Sequence, residues 1–171
     1  MDDPDCGELR RLYGEHAAAL WRFALLLTGD RARAADVVEE TLRRARRDPV
    51  VADSSAPSVR AWLFTVAHEI VVDEQRSVGS SNGFEAPEPV WPGRAEPEEV
   101  NAAVDRLLIR DALAQLPADH RAVVRRACYQ AYTTAQIAAD LNIADGTVKS
   151  RLHDAVGALS LQLREMGVVP Q

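Results

Sequence analysis

The sequence predicts an all-α protein of two small helical domains joined by a flexible linker, and three observations lead there. Apolar residues recur every three or four positions along both flanks of the chain, the period of a helix with one buried face. Residues 78 to 100 break that period with four prolines, three glycines and five glutamates against one arginine. Thr133 to His153 reads as a helix, a tight turn and a second helix.

Leu9, Leu12, His16, Leu20, Phe23 and Leu27 mark the first helix, and Gly29 ends it. Asp30 opens the second, which carries Ala34, Ala35, Val37, Val38, Thr41, Leu42 and Ala45. Asp36, Glu39 and Glu40 lie on its outside, and Arg43, Arg44, Arg46 and Arg47 crowd its carboxyl end. Acid early and base late suits the helix dipole. A third helix, roughly Pro57 to Arg76, holds Trp62, Leu63, Val66, Ala67, Ile70 and Val71. The acidic linker is expected to be solvated and extended, with Phe84 and Trp91 free to dock on a partner. Val104, Leu107, Leu108, Ala112 and Leu116 then make a fourth helix that Pro117 stops. Pro117 also suits the first turn of the next, in which Arg121 and Val124 lead toward Cys128 and Tyr129.

The last two helices carry the most information. Thr133 and Gln136 have the spacing of a capping box, and Ile137 and Leu141 share a face. Asn142 tolerates the left-handed backbone that a sharp turn needs, and Ile143 can plug the corner between the helices. From Asp145 on, Val148, Leu152, Ala155 and Leu159 form the expected buried stripe. Gly146, Thr147, Lys149, Ser150, His153 and Asp154 fall on the opposite face. Lys149, the chain's one lysine, stands there beside donors suited to phosphates and base edges. The plain alternative for this segment is a helical hairpin with a solvated polar face.

Charge restricts what such a unit can do. The 171 residues carry a net charge of −6, with a pI near 5.2. Nonspecific DNA affinity comes from Lys and Arg displacing counterions, so a DNA reader this acidic is expected to work inside a larger assembly. No apolar run reaches membrane-spanning length and the amino terminus, Met-Asp-Asp-Pro-Asp-Cys, is not signal-like, so no membrane insertion and a cytoplasmic location are expected. Cys6 and Cys128 stand apart from each other and from His16, His68, His120 and His153, which leaves no zinc spacing and no disulfide framework. Cys128 is expected to be a buried or idle thiol, and Cys6 an exposed one. No nucleophile with its base and no glycine-rich phosphate loop is visible, so no catalytic residue, metal or cofactor is assigned.

Five blocks, in order, carry a resemblance: Leu-Trp-Arg-Phe-Ala-Leu-Leu-Leu-Thr-Gly-Asp (20 to 30), Ala-Asp-Val-Val-Glu-Glu-Thr-Leu (35 to 42), Ala-Trp-Leu-Phe-Thr-Val-Ala (61 to 67), Leu-Pro-Ala-Asp-His-Arg-Ala-Val (116 to 123) and Gly-Thr-Val-Lys-Ser-Arg-Leu-His (146 to 153). The chain resembles the extracytoplasmic-function sigma factors of bacterial RNA polymerase over nearly its whole length. The resemblance implies a region 2-like domain at 1–77, the linker at 78–100 and a region 4-like helix-turn-helix domain at 101–171. It implies core RNA polymerase and promoter DNA as partners, with the first domain at the minus-ten element and the second at the minus-thirty-five element.

By motif, Asp36, Glu39, Glu40 and Thr41 correspond to the core polymerase contact of such factors. Trp62, Val66, His68, Glu69, Asp73 and Arg76 fall in the promoter-melting helix, where an aromatic and an arginine can hold unpaired bases and backbone. Helical phase also places Trp62 with Val66 and Ile70, as a core residue. Thr133, Thr134, Thr147, Lys149, Ser150, Arg151 and His153 correspond to the minus-thirty-five reader. The chain departs from the family pattern in having His68-Glu69 where Arg-Asn is usual, Glu74 where a basic cluster follows, Glu39 for Gln, Arg46 for Trp and Asp154 for Arg. Carboxylates where DNA strands pass add like-charge repulsion, so two functions are carried forward. One is a sigma factor directing promoter-specific initiation without covalent chemistry. The other is a sigma-like interaction protein that binds polymerase or an inhibitor with weak or no promoter melting. The resemblance alone implies an anti-sigma factor as a further partner.

Overall fold

The structure, a computed structural model, describes residues 4–49, 51, 55–78 and 95–168, with side chains of 4–10, 12, 13 and 56 excluded. The expected docking residues Phe84 and Trp91 lie outside the described residues, as does the side chain of Cys6. Among the described residues, seven helices are bounded and there is no strand: α1 (Pro4–Thr28), α2 (Arg31–Ala45), α3 (Ala56–Val78), α4 (Pro97–Gln115), α5 (Ala118–Tyr129), α6 (Thr134–Leu141) and α7 (Asp145–Glu165). No helix is long and apolar enough to cross a membrane among them. The chain divides into two compact units, Met1–Leu108 and Ile109–Gln171.

In the first unit, α1, α2 and α3 pack on one another. Gly29 takes a positive φ of 68° and stops α1, and the Asp30 carboxylate accepts the Arg33 amide at 2.9 Å to cap α2. Leu20 and Phe23 of α1, Val37 and Leu42 of α2, and Leu63, Phe64 and Val71 of α3 are buried together. The Phe23 and Phe64 rings meet edge to face, 5.2 Å between centroids, the arrangement that brings a positive ring edge to a negative ring face.

The structure moves one boundary. Helix α4 begins at Pro97, inside the stretch read as linker, and Val100, Val104 and Leu108 are buried. Its first turns are held in the first unit by one arginine. Arg60 donates to Asn101 Oδ1 at 3.0 Å and to Asp105 Oδ1 at 2.6 Å, with its guanidinium 5.1 Å from the Phe64 centroid. Asn101 in turn donates to the Pro57 carbonyl at 2.9 Å.

His16 is mostly buried in this unit. Burial lowers its pKa from the usual value of about 6.5, and the positive charges of Arg60 and Arg11 add to that against the opposing pull of Glu15. The folded state therefore binds fewer protons than the unfolded chain in the window just below 6.5. This contribution to stability is complete above that pH and is lost as pH falls toward the folded value. Urea unfolding of the first unit, followed by tryptophan fluorescence, should give lower stability at pH 5 than at pH 7, and His16→Gln should flatten that difference.

The second unit is built on α5, α6 and α7. Its core is Leu116, Val123, Val124, Ile137, Val148 and Ala155, with Leu113, Leu141, Ile143, Leu152 and Leu159 packed against it. Thr133 caps α6 with both bonds of the capping box: its hydroxyl accepts the Gln136 amide, and the Gln136 side chain accepts the Thr133 amide at 2.9 Å. Asn142 takes φ 53° and ψ 49°, and the Ile143 amide closes the turn on the Ala138 carbonyl at 3.0 Å.

Before α6 the chain makes the same kind of turn with a less suitable residue. Ala131 sits at φ 52°, and the Tyr132 amide reaches back to the Arg126 carbonyl at 3.1 Å. A Cβ in the left-handed region crowds the following carbonyl at a cost of about 1 kcal/mol. Ala131→Gly should relieve that cost, against a smaller loss from glycine's freedom in the unfolded chain. Amide hydrogen exchange across α6 should then slow in Ala131→Gly.

Candidate functional site

The polar surface of the helix-turn-helix begins where α7 begins. Ala144 offers no side-chain cap, and Asp145 occupies the first turn, where a carboxylate complements the helix dipole. Its carboxylate takes the Lys149 ammonium at 2.6 Å. The lysine bond holds the Asp145 carboxyl below the usual carboxylate range.

At about 100° per residue, Asp145, Lys149 and His153 form one ridge along α7, with Ser150 beside it. Lys149, Ser150 and His153 are exposed. Thr147 and Arg151 are half-buried and lie by register on the other flank. Arg151 bonds to Asp119 of α5 at 3.0 Å, which turns it from the outer face toward the neighbouring helix. Of the seven residues expected to read the upstream element, the structure gathers Thr134, Lys149, Ser150 and His153. It engages Thr133 in the cap and places Thr147 and Arg151 apart.

A third cation of this unit is engaged too: Arg126 of α5 bonds to Asp140 of α6 at 2.5 Å. Cys128 is exposed, not buried, because it falls in the last turn of α5, beyond the buried positions Val123 and Val124. Among the described residues no group of three metal-ligating side chains comes together.

In the first unit, Asp36 and Glu39 are exposed on α2. Glu40 is bridged by Arg44 at 2.8 Å and by Arg43 at 2.5 Å, and both guanidiniums hold its carboxyl below the usual range. Thr41 is fully buried and its hydroxyl donates to the Val37 carbonyl at 2.7 Å, so it faces the core and presents nothing to a partner.

On α3, Trp62, Glu69, Asp73 and Arg76 fall by register on one ridge, while His68 lies about a third of a turn away. Trp62 and His68 are half-buried, and Glu69, Asp73 and Arg76 are exposed. Glu74 is engaged by Arg33 of α2 at 3.2 Å. Sequence reasoning did not single out Asp145 or Asp119 as partners of the expected DNA cations. The i, i+4 spacing of Asp145 and Lys149 carries that signal locally, whereas the Asp119–Arg151 pair has none.

Two family models match: Sigma-70 region 2 over residues 12–80, and Sigma-70, region 4 over residues 106–159. The chain is 58% identical over 166 residues to the ECF RNA polymerase sigma factor SigL of Mycobacterium tuberculosis (strain ATCC 25618 / H37Rv), covering 94% of this chain and 91% of that protein. It is 32% identical over 155 residues to EcfG of Rhodopseudomonas palustris (strain TIE-1), covering 85% and 79%. Among solved structures, RpoE of Bartonella quintana, in complex with the anti-sigma factor NepR, is 27% identical with a TM-score of 0.35, covering 85% of this chain and 90% of that one. With both sigma regions in order, and a relative this similar along nearly its whole length, the chain belongs to the extracytoplasmic-function RNA polymerase sigma factors.

Proposed function

We propose that this sigma factor binds core RNA polymerase in the cytoplasm and directs it to a subset of promoters, catalysing no covalent chemistry of its own. Residues 1–77 hold the polymerase and meet the minus-ten element, the stretch ahead of Pro97 is the link, and the helix-turn-helix of the second unit reads the minus-thirty-five element. The observation that carries this reading is the exposed ridge of Lys149 and His153 on α7, with Lys149 paired to Asp145, in a chain of net charge −6. A helix face suited to the major groove, on a body too acidic to bind DNA by itself, fits delivery by a large partner. Asp36, Glu39 and Glu40 make the polymerase contact from the outer face of α2, where opposite charge gives register and rate more than affinity. Thr41 supports that helix from inside. An anti-sigma factor that covers these faces would hold the protein inactive.

Core polymerase reconstituted with this chain should initiate from some promoters of its own genome and lose that activity when the upstream element is scrambled. Failure to initiate on any of them overturns the proposal.

The exposed Glu69 and Asp73 favour a second reading, in which the polymerase is held on DNA without efficient opening. The two carboxylates share the ridge of Trp62 and Arg76, where an unpaired strand would pass. Glu69→Asn removes one negative charge and restores a donor. On this reading, permanganate reactivity of the minus-ten thymines should rise several-fold in the variant, with promoter binding little changed. Equal reactivity in the two proteins would sink it.

A further inference from the structure

Helix N-termini are ready anion sites, and recognition helices commonly use them on backbone phosphate. The N-terminus of α7 is built otherwise. Asp145 places a carboxylate in its first turn, half-exposed, and a phosphate brought there would meet like charge before it met the helix dipole. What this end of the helix offers DNA is a pair of side chains. The Asp145 carboxylate and the Lys149 ammonium lie 2.6 Å apart, 44% and 65% exposed.

Both retain unused hydrogen-bonding capacity. An ionised carboxylate has about four acceptor positions, and the bond from Lys149 takes one. An ammonium has three donors, and one goes to Asp145. The first turns of a recognition helix are the part that reaches base edges. The pair therefore brings an open acceptor beside open donors to the place where bases are read.

The major-groove edge that answers this pattern is that of a C·G pair: the cytosine 4-amino donor lies next to guanine O6 and N7, two acceptors in succession. We infer that Asp145 and Lys149 together read one C·G base pair of the upstream promoter element, Asp145 accepting from the cytosine 4-amino group and Lys149 donating to guanine O6 and N7. The inference rests on the reading of α7 as the promoter-reading helix and deepens it by naming the base pair and its two readers. A carboxylate that only stabilised the helix through its i, i+4 lysine would leave base preference untouched.

The test uses the full chain assembled with core polymerase on a promoter library randomised across the upstream element, with sequencing of the transcribed members. The wild-type protein should prefer C·G at one position. Asp145→Asn should shift that position toward A·T, because an asparagine amide pairs with adenine N6 and N7, and leave the other positions unchanged. Asp145→Ala should lose about tenfold discrimination there and gain no new base. An unaltered profile in Asp145→Asn, or an equal loss at every position in both Asp145 variants, overturns the inference while leaving promoter reading intact. Absence of any upstream preference in the wild type overturns the promoter reading, and this inference with it.

Discussion

Phe64→Ala should destabilise the first helical unit by about 3–5 kcal/mol, the range for removing a large aromatic from a closed core. Three losses combine at this position. The side chain is fully buried, so its apolar surface is removed without water able to take its place. Its edge-to-face contact with Phe23 joins α3 to α1. Its ring also lies against the Arg60 guanidinium that holds the start of α4, so the polar bonds to Asn101 and Asp105 lose their backing. Tryptophan reports on this unit, because Trp21 and Trp62 lie in it, Trp91 lies in the linker and the second unit has none. Urea unfolding by tryptophan fluorescence should therefore show a lowered midpoint in Phe64→Ala, with amide exchange in α6 and α7 unchanged. A shift below about 1 kcal/mol would mean that the core closes over the lost ring, contrary to the packing described.

Lys149→Glu should reduce upstream-element-dependent transcription about a hundredfold, equivalent to roughly 3 kcal/mol. The change removes the one lysine of the chain from the reading ridge and places a second carboxylate four residues from Asp145. Both carboxylates then repel the DNA and each other. Lys149→Met separates the two causes, since it keeps the stem and removes only the charge, and it should fall between the wild type and Lys149→Glu. The melting temperature should change little in Lys149→Met, because the pair with Asp145 is solvent-exposed and exposed pairs contribute little. Retained transcription from intact upstream elements in Lys149→Glu would remove the ridge from the promoter contact.

What could be read from the sequence divides by distance along the chain. The capping box of Thr133 and Gln136, the left-handed Asn142 and the stop-and-start of Gly29 and Asp30 depend on groups within a few residues of one another. Local backbone rules identify them. Pro97 misled because proline next to glutamates has linker composition, yet proline and acids also belong in a first helical turn, where α4 uses them. Only the burial of Val100 decides between the two. Thr41 lies between the acidic face and the apolar stripe, and its hydroxyl closes on its own helix, which lets a polar residue sit in the core. The Arg60 bonds join residues 41 and 45 positions apart, and Arg151 meets Asp119 from another helix. No periodicity predicts such partners.

The pairing of Lys149 with Asp145, Arg151 with Asp119 and Arg126 with Asp140 bears on abundance in the cell. At a net charge of −6, a surplus of this factor over polymerase holds chromosomal DNA only weakly by itself, so it does not mask the promoters that the loaded enzyme must find. Raising its copy number then increases the share of polymerase carrying it, without building a reservoir of competitor along the genome.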